Sequence, residues 1–306
     1  SAASDVYKRQ IKSLMSVNTK AKVLKPSIQI PKLVLVFARL LQFISHKLVV
    51  IFASKLFVTP INFKTPKREI AMDESSQKRF LFIPEINKNI HILSYGFSDK
   101  KVLLAHGWSG RRTQLFMIAN KLLEKGFMVV SFDAPAHGKS SGRTTNMIEY
   151  IKTITAINKE FGPFESAIGH SFGGMAIVNT NANKEMFKTI VTIGAGDKIE
   201  DIISNFIRDL GLKRIISKKL IQYLQKKWQI NISNFALHKI VKKNKTPTLV
   251  VHDEKDNDVD VSCAYNIKEN LINGSILISN GLGHTRILRD QNIINKTINF
   301  IESNSK

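Results

Sequence analysis

The sequence predicts an α/β domain with a mainly parallel β-sheet covered by helices on both faces. Three observations lead there. From about residue 79 onward, short apolar runs of strand length alternate with amphipathic runs of helix length; strands joined through helices run parallel. One strand-like run, Pro163 to Ile168, passes through Gly169-His170-Ser171-Phe172-Gly173 into an apolar helical run from Met175. Strand, turn and helix form the setting that gives a G-x-S-x-G pattern its meaning. Between Gly194 and Lys245 the alternation stops for about fifty residues of helix-like sequence, far longer than an ordinary connection and so an insertion.

A chain of 306 residues with 43% apolar content can bury a full core in one large domain, or in one domain with an insertion. Lys and Arg number 46 against 24 Asp and Glu, a net charge of +22. The basic residues are scattered, with no zinc-finger spacing and no aromatic RNA-binding pattern, so no nucleic-acid partner is expected. One cysteine, Cys263, excludes an internal disulfide and a multi-thiolate metal site. The first apolar run starts too late for a signal peptide and lacks a small-residue cleavage site. A cytoplasmic location is expected.

Residues 1–78 read as an N-terminal region of three parts. Residues 1–30 are a basic, polar tail. Residues 31–58 are largely apolar, but Arg39, His46, Lys47 and Lys55 interrupt them, and a membrane span needs ~20 apolar residues with few charges. Arg39, Gln42 and His46 share one helical face, whereas Lys47, Ser54 and Lys55 share another. The polar stripe jumps near His46, so two consecutive amphipathic helices are expected. They pack on the domain, or, as the second choice, lie in an anionic membrane surface and make the protein peripheral to it. A transmembrane helix is the third choice. Residues 59–78, with Pro60, Pro66 and several basic residues, read as a linker.

The α/β core is expected over 79–195 and 246–306. Phe80 to Pro84 and Ile90 to Ser94 pattern as a hairpin of edge strands, and Lys101 to His106 as a buried strand. Thr113 to Lys125 reads as a helix ended by Gly126. A strand, Phe127 to Phe132, leads to a turn at Asp133 to Ser140. The helix from Thr145 carries an apolar ladder of Ile148, Ile151, Ile154 and Ile157. Further strands are expected at Thr189 to Ile193, Thr248 to His252 and Ser275 to Ser279, with a last helix at Ile287 to Ile301. The insertion, 196–245, contains helical runs at Ile199 to Leu210, Arg214 to Trp228 and Ile232 to Val241. It would lie over the C-terminal strand ends, where open α/β sheets bind ligands, and there a helical lid is the natural reading.

The chemistry centres on Ser171. A serine at a sharp strand-to-helix turn is presented openly, and the glycines of the elbow, Gly169 and Gly173, stand where a Cβ would collide. The new helix aims its first N–H groups at incoming negative charge. A serine nucleophile also needs a base, an orienting acid and oxyanion donors. His284, in a glycine-rich loop after the last strand, is the base candidate; His252 ends a strand and packs or caps there. Asp253, Glu254, Asp256 and Asp258 compete as the acid, with Asp256 favoured for its mid-turn position and Asp258 its main rival. The expected oxyanion donors are the backbone N–H groups of Phe172 and Trp108.

With these pieces in order, the chain resembles the α/β-hydrolase superfamily over roughly Arg79 to Glu302. The matching motifs are His106-Gly107-Trp108, the turn Asp133 to Ser140, Gly169 to Gly173, Asp256 with Val259, and Gly283-His284. The resemblance implies an eight-stranded sheet with the second strand antiparallel, a Ser–Asp–His triad, a lid after strand six, and no metal or organic cofactor. It points to a small-molecule ester or acyl substrate and to serine esterase chemistry, with peptidase, thioesterase, lactonase or a noncatalytic membrane-associated binding protein as alternatives on the same fold. Asp253 departs from the pattern, because many relatives carry glycine there. A serine at the elbow speaks against the dehalogenase and epoxide-hydrolase branches, which use aspartate.

Overall fold

The alternation resolves into eight strands in a single sheet. They are β1 (Gln77–Ile83), β2 (Lys88–Tyr95), β3 (Lys101–Ala105), β4 (Met128–Phe132), β5 (Phe164–His170), β6 (Phe187–Ile193), β7 (Thr248–Asp253) and β8 (Gly274–Ser279). The computed structural model describes residues 30–304; the expected tail falls outside them except for Ile30. The spatial order is β1-β2-β4-β3-β5-β6-β7-β8. β2 is antiparallel to both of its neighbours, and every pair from β4–β3 to β7–β8 is parallel. The edge pair turns through Asn87, which takes φ 49° in the left-handed region where Asn is tolerated.

Two helices precede the sheet, α1 (Lys32–Ile44) and α2 (His46–Phe57), and a short α3 (Ile70–Glu74) leads into β1. Next come α4 (Phe116–Glu124), α5 (Met147–Phe161) and α6 (Phe172–Asn183). The insertion carries α7 (Ile199–Asp209), α8 (Arg214–Trp228) and α9 (Leu237–Ile240), and α10 (Ser262–Asn270), α11 (Gly283–Arg286) and α12 (Gln291–Asn304) complete the chain. The sheet separates two cores. Ile118 and Leu122 of α4 and Ile294 and Ile298 of α12 fill one. The other joins Tyr150 and Ile154 of α5, Ile177 of α6 and Ile267 of α10 to the insertion and to α2.

Several elements differ from expectation for local reasons. α4 starts three residues late, because Arg112 and Thr113 are engaged with the carboxylates of Asp133 and Glu69. In α5 only Ile154 and Ile157 of the three-residue isoleucine ladder reach the buried face, and Ile148 and Ile151 are half-buried. Met147, Tyr150, Thr153, Ile154 and Ile157 are buried, as a 3.6-residue period requires where a three-residue step drifts around the helix. The expected helix at 232–241 breaks into 3₁₀ turns around α9. The final helix starts at Gln291, after a 3₁₀ turn at Ile287–Arg289.

The apolar stretch 31–58 breaks at Ser45, which is extended (φ −162°, ψ 128°) and accepts a hydrogen bond from Lys47 N–H. α2 buries Val49, Val50 and Ala53 against α7 and α8. Gln42 of α1 accepts a bond of 2.7 Å from Lys213 N–H in the α7–α8 connection. Among the described residues no helix is long and apolar enough to cross a membrane. The segment read as a linker is tied to the core: Ile61 N–H donates to Ser109 Oγ, and Gly138 N–H to Asn62 Oδ1. Glu69, buried, takes Arg111 Nε–H at 2.7 Å and the Thr113 hydroxyl at 2.8 Å. Proline content marked an irregular path there, but not this docking.

Candidate active site

The register aligns the C-terminal strand ends that carry the site. Ala105 pairs with Gly169, His170 with Ile193, Ile193 with Val251, and Asp253 with Ser279. Loops leaving β3, β5, β7 and β8 therefore emerge side by side, as ligand-binding loops do in open α/β sheets.

Ser171 stands between β5 and α6 with φ 52° and ψ −121°, a region that costs a non-glycine residue of order 1–3 kcal/mol and persists only where its surroundings enforce it. The enforcement is visible. Ser171 N–H donates to Ile193 O at 2.8 Å, and Ser171 O accepts from Gly174 N–H at 3.0 Å. A Cβ on Gly169 would stand 2.5 Å from the Gly174 backbone, and one on Gly173 would stand 2.4 Å from the His106 carbonyl oxygen. Only glycine lets β5, the start of α6 and the end of β3 approach this closely.

His284 lies on α11, and its Nδ1–H donates to Asp256 Oδ2 at 2.7 Å. The carboxylate accepts, so the lone pair is left on Nε2. Asp256 is buried, and its Oδ1 takes the Asp258 and Val259 N–H groups at 2.9 Å each. Burial raises its pKa, but the hydrogen bond and charge of His284, with those two N–H groups, outweigh it and hold the carboxyl below its usual range. His252 lies beneath and gives Nε2–H to Val259 O at 2.9 Å. Asp256, Asp258 and His284 offer donor atoms within 4.8 Å of one another, a group that could in principle hold a cation.

The rival carboxylates divide differently. Glu254 is exposed and pairs with Asn280. Asp258 lines the cavity beside His284. Asp253, buried, binds the loop that presents His284. Its Oδ2 takes the Ser279 hydroxyl at 2.7 Å and Leu282 N–H at 2.9 Å, and its Oδ1 takes Lys255 N–H at 2.9 Å and Gly281 N–H at 3.2 Å. A glycine there could make none of these bonds.

The loop after β3 is packed against the elbow: a Cβ on Gly107 would lie 3.0 Å from Ser171 Cβ. The Trp108 ring meets those of Phe172 and His137 edge-on at 5.5 and 5.6 Å. The Trp108 and Phe172 N–H groups have no protein acceptor among the described residues. Two buried histidines shape this loop. His106 Nε2 accepts from Ala134 N–H at 2.9 Å, so Nδ1 carries the proton and donates to Gly107 O. His137 Nε2 accepts from Ser109 N–H at 3.0 Å, and its Nδ1–H donates to Pro135 O. Burial lowers their pKa values to about 4 and about 3, so both stay neutral. His170 gives Nε2–H to the His284 carbonyl at 2.9 Å. Asp133, buried in the following turn, accepts from Arg112 Nη1 and N at 2.8 Å each. The sequence marked this turn but not its buried ion pair. The histidines at strand ends were the available signal, because a polar side chain buried there must find partners.

Ser171, His284, Trp108 and Phe172 line one cavity of about 940 Å³, with Asp256 behind His284. Apolar side chains from α7, among them Ile199, Ile202 and Phe206, form part of its wall.

A family model described as alpha/beta hydrolase family matches residues 102–221, and one described as TAP-like protein matches residues 217–302. No curated protein sequence matches the chain. Among solved structures, an esterase from Pyrococcus furiosus is similar with a TM-score of 0.64 at 18% identity, over 81% of this chain and 100% of that one. A membrane phospholipase A described as a bacterial virulence factor gives 0.60 at 16%, over 89% and 96%. An esterase from Exiguobacterium antarcticum gives 0.59 at 16%, over 74% and 100%. With the sheet order and the two family models, which together match residues 102–302, the chain belongs to the α/β-hydrolase superfamily, and the solved structures share its fold.

Proposed function

We propose that the protein is a serine hydrolase cleaving a carboxylic ester through an acyl-enzyme on Ser171. The observation that carries this reading is the convergence of an enforced serine elbow and a carboxylate-held imidazole on one apolar cavity. Ser171 Oγ attacks the ester carbonyl carbon while His284 Nε2 takes its proton. Charge developing on the carbonyl oxygen is met by the Trp108 and Phe172 N–H groups; losing one such donor costs ~3–4 kcal/mol of transition-state stabilisation. Collapse breaks the ester C–O bond, and His284 returns the proton to the departing alcohol. Water, deprotonated by His284, then attacks the acyl carbon, and Ser171 leaves as the free hydroxyl. Asp256 keeps the proton on Nδ1 throughout. Ser171 Oγ has no protein hydrogen-bond partner among the described residues, and contacts of this kind tighten when substrate binds.

The apolar wall from α7 favours a small or medium acyl chain, held beneath the insertion acting as a lid. The esterase and phospholipase names of the structural neighbours favour an ester over an amide. A fluorophosphonate probe tests the reading: it should label the wild type and not Ser171→Ala. Undiminished labelling of the variant removes Ser171 from the role, and an unlabelled wild type points to a noncatalytic binding protein. A p-nitrophenyl ester series then sets the preferred acyl length.

A further inference from the structure

The outer face of α1 is apolar and uncovered. Leu33, Phe37, Leu40, Phe43 and Ile44 recur along it at helical spacing, and Leu33 and Phe43 are 84% and 91% exposed. The opposite face is anchored, with Ala38 fully buried and Val34 and Leu41 packed against the core. The row is therefore held facing outward by a helix that cannot turn it inward.

The segments beside this row are strongly basic. From Lys32 to Arg68 the sequence holds seven Lys or Arg and no Asp or Glu. A groove of about 330 Å³ between α2 and α8 is lined by His46, Lys47, Lys219 and Lys226, and the exposed Leu48 and Ile51 lie on the same helix as Lys47. Apolar side chains ringed by unopposed cations suit the boundary between headgroups and acyl chains in an anionic leaflet. The same helix reaches the active site: Ile30, Pro31 and Val34 at its start line the cavity above Ser171.

We propose that the α1 face docks on an anionic phospholipid bilayer, with the lysines of the α2–α8 groove against headgroup phosphates. A short- or medium-chain acyl ester partitioned into the bilayer then enters the cavity past the first turn of α1. The docking stands on the surface alone; the second half rests on the ester-hydrolase reading.

Flotation of the full chain carrying Ser171→Ala, with vesicles of phosphatidylglycerol and phosphatidylcholine in equal parts or of phosphatidylcholine alone, tests the docking without turnover. Binding should be at least tenfold stronger to the mixed vesicles and fall as salt rises. Each Lys near an anionic leaflet contributes roughly fivefold, so Lys47→Glu/Lys219→Glu should weaken binding by more than tenfold. Leu33→Glu/Phe43→Glu should do the same, with an unchanged melting temperature and p-nitrophenyl butyrate hydrolysis within about twofold of wild type in the Ser171 background. Unchanged flotation of that pair, equal binding to both vesicles, or a solution dimer that the pair dissociates would overturn the docking. If docking holds, hydrolysis of dioctanoyl phosphatidylglycerol carried in the vesicles should fall at least tenfold in the pair while the soluble ester is spared. Loss of both activities in wild type would instead fault the hydrolase reading and leave the docking intact.

Discussion

Lowering the pH from 7.5 to 5.5 should destabilise the fold by roughly 4 kcal/mol, because three histidines are buried in neutral form. Burial holds His106 at a pKa of about 4, and His137 and His170 at about 3. In the unfolded chain each titrates near 6.5. The folded values lie below the unfolded ones, so between about pH 6.5 and 4 the unfolded chain binds more protons, and stability falls as pH falls through that window. One unit below 6.5, each ring contributes about 1.4 kcal/mol, three together about 4. The sum depends little on the folded values provided they stay below about 5. Asp133 acts in a lower window. Burial raises its pKa, the neighbouring His91 and Arg112 outweigh that, and the net depression means its stabilising effect is lost only under acid conditions below about pH 4. Urea unfolding at both pH values gives the free energies, and the three imidazole resonances should not titrate above pH 5. A loss under about 1 kcal/mol, or a ring that titrates near 6.5 in the folded protein, would refute the reasoning.

Asp256→Asn should lower kcat by about 10⁴-fold through loss of the imidazole's orientation, and Asp258→Asn by less than tenfold; the reverse order in ester turnover would move the orienting role to Asp258. Gly173→Ala should destabilise by at least about 1–3 kcal/mol, because its Cβ would stand 2.4 Å from the His106 carbonyl oxygen, and a thermal melt reads the loss. Asp253→Asn should loosen the loop bearing His284, lowering kcat more than it raises KM. One of the two oxygens becomes an amide nitrogen, which cannot accept from the N–H groups bonded at that position, Lys255 and Gly281 at Oδ1 or Leu282 at Oδ2. Wild-type kcat in that variant would show that the loop holds its shape without them.

The fold was legible because strands buried on both faces read as continuous apolar runs, such as Val102-Leu103-Leu104, and because glycine is required where Ser171 turns the chain. The pairing of Asp256 with His284 was narrowed to one turn but not fixed, since four carboxylates within six residues differ only in where the backbone points them. Asp253 illustrates the difficulty: it looks like a competitor in the sequence and serves as the brace for the His284 loop. The insulated roles of His106 and His137 depend on contacts 28 residues apart in sequence, which no local pattern records. The role of the stretch 59–78 escaped for a related reason. Prolines and lysines mark irregular, solvated backbone equally well whether it trails free or is hydrogen-bonded across a loop.

The contact of Gly169 with Gly174, and of Gly173 with the end of β3, is main chain against main chain, with no side chain between. Side-chain joints adjust when a neighbouring core residue changes size, because rotamers and small helix shifts absorb the difference. A joint of bare backbone has no such slack and no such dependence. Replacements among Ile154, Ile177 or Ile298 can repack the layers on either side of the sheet while the seat of Ser171 keeps its shape. The part of the cavity wall that comes from the insertion is made of side chains and is open to change on the other side of that seat. The architecture thus decouples where the hydroxyl sits from what the pocket around it admits, so that the pocket can diverge while the elbow does not.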